Sequence, residues 1–216
     1  MEYLPGMSLA ELVERFGPMP PERVVHLLRQ VCDALTEAHA AGLIHRDIKP
    51  GNVFAAQRGG VFDVAKLLDF GLVKPIADEQ PIQLTAEGSI TGSPLFMSPE
   101  QATGDGEPDA RSDIYALGAV GYFLLTGQPP FVGNKPIQVM IAHAHDAVVP
   151  PSHHRPEIPA DLEEIILRCL AKAPSERFQD AEQLAEALAQ CEVAGQWTRS
   201  QAAQWWQQRK EEGLSV

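Results

Sequence analysis

Apolar positions recur along most of the chain at steps of three and four, the spacing of helices with one buried face. Ser8-Leu9-Ala10-Glu11 reads as a capping box, followed by Leu9, Leu12, Val13 and Phe16 on one face and Gly17 as a stop. After Pro18, Pro20 and Pro21 the pattern predicts a long helix from about Glu22 to Ala41. Val24, Leu28, Val31, Leu35 and Ala38 form its stripe, and Gly42 ends it. The period then changes. Two short runs, Val53 to Ala56 and Val61 to Leu68, flank Gln57-Arg58-Gly59-Gly60 and predict a β-hairpin.

Periodicity lapses from Asp69 to Glu100, a length that in a compact domain is normally functional or disordered. It returns at Ser112-Asp113-Ile114, where a run apolar on all sides predicts a central helix ending at Gly127. Further helices are expected near Lys135 to Ala144, from an Asp161 cap to about Leu170, and from about Asp180 to Gln190. A last one, capped by Thr198, would carry Trp205 and Trp206. Met1 to Leu4 reads as extended, stopped by Pro5-Gly6. His26 and His39 are expected to be ordinary helix residues rather than ligands.

Composition narrows the class. A chain of 216 residues that is 44% apolar can bury a substantial core. The net charge of −12 argues against nucleic acid or an anionic membrane as the main partner. Three scattered cysteines suit reduced thiols and a cytoplasmic location. No stretch reaches the roughly 18 apolar residues of a membrane span. The histidines at 143, 145, 153 and 154 lack the spacing and carboxylate partner of a metal site.

The chemistry is concentrated in His45-Arg46-Asp47-Ile48-Lys49-Pro50-Gly51-Asn52-Val53 and, after the hairpin, Asp69-Phe70-Gly71. Asp47 can accept the proton of an attacking hydroxyl, and Lys49 can neutralise a migrating phosphoryl group. Asn52 and Asp69 offer the hard oxygen ligands that Mg²⁺ prefers. A hairpin with Asn52 at its start and Asp69 at its exit brings the two within reach of one ion.

These motifs resemble the catalytic loop and metal-binding motif of eukaryotic-type protein kinases, most closely the bacterial serine/threonine branch, for which Lys49 is usual. The resemblance runs from Met1 to the Arg177 region and covers the family's large lobe. It implies a mainly α fold: a protein-kinase-like large lobe, helical with a small antiparallel β-hairpin at the active site. The expected domain is 1–194, with 195–216 as a C-terminal tryptophan-containing helical tail, packed against the lobe rather than serving as a partner patch. The small lobe, with its Gly-rich loop and ATP-binding lysine, has no counterpart in the sequence. The chain is therefore expected to be truncated, depending on an upstream segment, or else to borrow a lobe from another polypeptide, and by itself to transfer phosphate poorly or not at all.

By the same resemblance, ATP and Mg²⁺ are the cofactors and a protein Ser or Thr hydroxyl is the acceptor. Asp47 and Lys49 would be catalytic; backbone groups near Glu2 and Leu4 would meet the adenine edge, and Phe54 would lie beneath its ring. Asn52 and Asp69 would hold the metal. Arg46 would pair with a phosphate placed on Thr85, Ser89 or Thr91, while Ser93 matches the usual threonine near the base. Asp113 would support the catalytic loop, Glu100 of Ser98-Pro99-Glu100 would pair with Arg177, and His45 and Phe70 belong to the same supports. The alternative is a non-catalytic docking module that keeps this shape.

Overall fold

The structure, a computed structural model, describes residues 5–68 and 94–211. Three strands and eight α-helices follow one another in these two stretches: β1 (Gly6–Ser8), α1 (Leu9–Phe16), α2 (Pro21–Ala40), β2 (Val53–Arg58), β3 (Val61–Leu67), α3 (Pro99–Thr103), α4 (Ala110–Thr126), α5 (Pro136–His145), α6 (Ala160–Cys169), α7 (Ala181–Ala189) and α8 (Arg199–Glu211). None of these helices is long and apolar enough to cross a membrane.

The first helix starts where its sequence says. The Ser8 hydroxyl accepts from the Glu11 amide and the Glu11 carboxylate accepts from the Ser8 amide, so two otherwise orphaned donors are satisfied. In α2 the stripe Val24, Leu28, Val31, Leu35 and Ala38 is buried throughout. Helix α2 packs against α7, β3 and α4, and the flanks of α4 are also almost wholly buried. Each such side chain taken from water contributes about 1.5–3 kcal/mol, so tertiary burial, not propensity, holds α4 at the centre. Gly118 lets α6 come close: a Cβ there would stand 2.4 Å from Cys169 Cβ. Gly118→Ala should therefore cost about 1–3 kcal/mol by overpacking.

The expected hairpin forms, with Gly59 and Gly60 at φ 56° and 78° in its turn. The expectation that Pro5-Gly6 stops the extended segment is corrected. The chain continues as β1, antiparallel to β2 with Gly6 opposite Ala56, and makes a three-stranded sheet in the order β1-β2-β3. Gly6 permits this because a Cβ would lie 2.4 Å from the Ala55 carbonyl oxygen. The Asp161 cap is a second correction. Helix α6 begins at Ala160 after an extended Pro159, and Asp161 instead accepts from the Leu162 amide and, through its other oxygen, from the Glu192 amide. Residues 195–211 do not stand apart from the lobe, because Trp206 is part of its main core.

Candidate active site

Helix α2 ends at Ala40 and delivers the chain into the loop 43–52, which returns into β2. Three side chains meet in this loop. Asp47 Oδ2 accepts from Lys49 Nζ at 2.7 Å and from Asn52 Nδ2 at 3.0 Å, and Asn52 Nδ2 also donates to the Asp47 carbonyl at 2.9 Å. The side chain of Asp47 is 56% exposed, so a hydroxyl from outside can reach it, whereas Asn52 is buried. Both contacts of the Asn52 amide are to acceptors, which fixes its nitrogen towards Asp47 and turns Oδ1 away. Among the described residues nothing donates to that oxygen. Its chemistry fits a hard divalent cation such as Mg²⁺.

The loop is held from beneath by Asp113, on the first turn of α4. Its Oδ2 accepts from the His45 amide at 2.8 Å and its Oδ1 from the Arg46 amide at 2.8 Å. Those bonds secure Arg46 at φ 64°, a left-handed conformation that a branched-off side chain rarely adopts. His39 Nε2 adds a third contact to Asp113 Oδ2 at 2.9 Å. His39 is therefore no ordinary helix residue, a correction to the sequence reading. Asp113 needs donors because it is almost fully buried, and that need was the available signal.

His45 ties the loop to the end of the hairpin. Its Nε2 donates to the Leu68 carbonyl at 3.1 Å, which leaves Nδ1 to accept from the Asp47 amide at 3.3 Å. The Leu68 amide in turn donates to the Asn52 carbonyl at 2.8 Å. Phe54 is half-buried on β2 opposite Ser8 and Lys66, outside the main core. The Arg46 side chain is exposed, and its carbonyl accepts from Gln101 Nε2 at 3.0 Å. That bond joins the loop 43–52 to α3.

Glu100 on α3 meets Arg177 in two parallel bonds of 2.8 Å, and Ser112 Oγ donates to Glu100 at 2.6 Å. Burial would push the Glu100 carboxyl up, but the bonds from Arg177 and Ser112 outweigh it and hold it at about 2. Next to α3, His143 on α5 anchors the segment Pro94–Phe96. The Tyr115 hydroxyl donates to Nδ1 at 2.8 Å and Nε2 donates to the Leu95 carbonyl at 3.1 Å. Burial lowers the His143 pKa to about 4 and keeps the ring neutral. Sequence reading had set this histidine aside.

The positions Glu2, Leu4, Asp69, Phe70, Thr85, Ser89, Thr91 and Ser93 lie outside the described residues. No cluster of three potential metal ligands occurs among the described residues.

Residues 1–189 match the family described as Protein kinase domain. Among curated proteins, the serine/threonine-protein kinase PknB of Mycobacterium leprae is 41% identical over 184 residues, 85% of this chain and 28% of that protein. Pkn1 of Myxococcus xanthus is 45% identical over 178 residues, 82% of this chain and 25% of that protein. The chain thus spans about a quarter of the length of the relatives it matches. Among solved structures, the Mycobacterium tuberculosis PknI kinase domain aligns with a TM-score of 0.64 at 28% identity, over 87% of this chain and 62% of that one. Rad53 in complex with AMP-PNP shares the fold, with a TM-score of 0.69 at 23% identity, over 87% of this chain and 45% of that one.

Proposed function

The chain belongs to the protein kinase family, and we propose that it is the catalytic lobe of a serine/threonine kinase that passes the γ-phosphoryl group of ATP to a protein hydroxyl. The observation that carries this reading is the contact of Asp47 with both Lys49 and Asn52 in a loop braced by Asp113. Serine/threonine specificity is the activity named for the PknB and Pkn1 relatives.

In this reading Asp47 accepts the proton of the substrate hydroxyl and orients its oxygen for in-line attack. Lys49, already 2.7 Å from Asp47, would bring its positive charge beside the transferred group. Asn52 Oδ1, with Asp69, would hold Mg²⁺, which when bound neutralises phosphate charge. Phe54 would offer an apolar face to the adenine, whose edge would meet backbone groups near Glu2 and Leu4. The gain is mostly positioning: the groups are fixed before the substrate arrives.

Control would come from the segment between the hairpin and Pro94. A phosphate on Thr85, Ser89 or Thr91 adds about −1.5 to −2 charge that the exposed Arg46 can meet, and Ser93 would stand near the base. The protein would act in the cytoplasm on protein substrates, and its net charge of −12 disfavours nucleic acid. The test is to incubate the full-length protein with Mg-ATP and a generic protein acceptor and identify the modified residues. Phosphoserine and phosphothreonine are expected. Nucleotide binding without transfer under any condition would favour a docking module instead.

A further inference from the structure

Beyond residue 189, where the family match ends, the chain turns back, lies along β3 and meets Arg23 at the start of α2. All three of its tryptophans are here, Trp197, Trp205 and Trp206. Trp197 and Trp206 converge on one carboxylate within β3, and Trp205 packs on the arginine paired with it. Asp63 is fully buried and has φ 54°, and it accepts four hydrogen bonds, two on each oxygen. Oδ2 takes Arg23 Nε at 2.9 Å and Trp197 Nε1 at 2.8 Å; Oδ1 takes Arg23 Nη2 at 2.8 Å and Trp206 Nε1 at 2.7 Å. That is the full capacity of a carboxylate. The Arg23 guanidinium lies 3.9 Å from the Trp205 ring centre, Trp205 meets Phe16 of α1 edge-on at 5.1 Å, and Trp206 stacks on Phe62 of β3 at 6.2 Å.

This clamp joins α2 and β3, the two elements that run into the candidate active site. Gln30 adds a second tie along the outer edge of β3, donating to the Asp63 carbonyl at 2.9 Å and accepting from the Ala65 amide at 3.1 Å. From there β3 leads within a few residues to Leu68, whose amide holds the Asn52 carbonyl and whose own carbonyl holds His45. A shift of β3 against α2 is therefore a shift at Asn52.

We propose that residues 191–211 are a strap that sets the hairpin for catalysis, with Asp63 as a positioning residue acting through β3 on Asn52. Without the strap, Asp63 loses two of its four donors and the buried Arg23–Asp63 pair is opened to water, so β3 is held on α2 less firmly, by Arg23 and Gln30. Coupling runs both ways. If the strap favours the arrangement that takes Mg-nucleotide, then Mg-nucleotide favours the docked strap. The proposal rests on the phosphoryl-transfer reading.

The test uses the full-length protein and two readouts. Trp206→Phe and Trp197→Phe keep a ring and each remove one donor to Asp63, while Trp205→Phe leaves both donors in place. The Mg²⁺ needed for half-maximal transfer at fixed ATP should rise roughly 5-fold or more in the first two, and stay near wild type in Trp205→Phe. A purely structural role lowers the active fraction and leaves that midpoint where it was, which would overturn the proposal. The second readout needs no variant. On adding Mg-ADP to the wild-type protein, amide hydrogen exchange should slow both in the loop 43–52 and in the strap 191–211. Slowing in the loop alone would reject the strap and keep the kinase reading. No change in either would reject the kinase reading itself.

Discussion

Arg177 holds both oxygens of Glu100 in two parallel 2.8 Å bonds, with its own side chain fully buried and that of Glu100 10% exposed. The pair fixes α3 against the segment that precedes α7, and α3 reaches the catalytic loop through Gln101 and the Arg46 carbonyl. Arg177 also donates to the carbonyls of Ala171, Lys172 and Arg111, so one side chain joins three segments.

Replacing Arg177 with Met should destabilise the protein by about 3–5 kcal/mol, because a largely buried carboxylate is left without its cation. Adding Glu100→Gln in the same chain should recover part of that loss. Chemical denaturation of the wild type, the two single variants and the double variant measures the coupling.

The Glu100 pair also predicts an acid limit. The Glu100 pKa is lowered from 4.5 to about 2 in the folded protein, so its contribution is complete above 4.5 and is lost as the pH falls towards 2. Glu100→Gln should remove this component from a plot of stability against pH.

His143 predicts an earlier loss. Its folded pKa is lowered from 6.5 to about 4, so the unfolded chain takes up the proton first. Stability from this group is complete above 6.5 and declines as the pH falls to 4, by about 3 kcal/mol in all. Protonation would also put a hydrogen on Nδ1, where the Tyr115 hydroxyl now donates. A urea midpoint that falls more steeply between pH 6.5 and 4.5 in the wild type than in His143→Gln is the expected result.

Asp113→Ala should unfasten the catalytic loop. It strands the buried His45 amide at a cost of about 1–3 kcal/mol, and it frees Arg46 from its left-handed conformation. Turnover should fall while nucleotide affinity changes little. Steady-state kinetics beside a binding titration separates the two.

What could be read in the sequence was local. In the Ser8 cap, the stripe of α2, the Gly59-Gly60 turn and the Asp47, Lys49 and Asn52 group, each member lies within a few residues of the next, and local chain geometry brings them together. Glu100 and Arg177 are distant in the chain and were paired through the family resemblance. The Asp63 clamp had neither aid, since its partners are 40, 134 and 143 residues away. Signals for it existed: an Asp inside Val61-Phe62-Asp63-Val64, an Arg beside the buried Val24, and every tryptophan in the last stretch of the chain. Each demanded a partner, and none said which.

The central claim is that Asp47 is the base of a phosphoryl transfer. Asp47→Asn in the full-length protein keeps the shape of the side chain and the partners of Asn52 while removing the basic oxygen. The measurement is the rate of phosphate transfer from Mg-ATP to a protein acceptor, with nucleotide affinity measured on the same sample. A fall in turnover of roughly 10²–10⁴ with affinity nearly unchanged is the predicted result. Transfer at the wild-type rate would contradict the assignment.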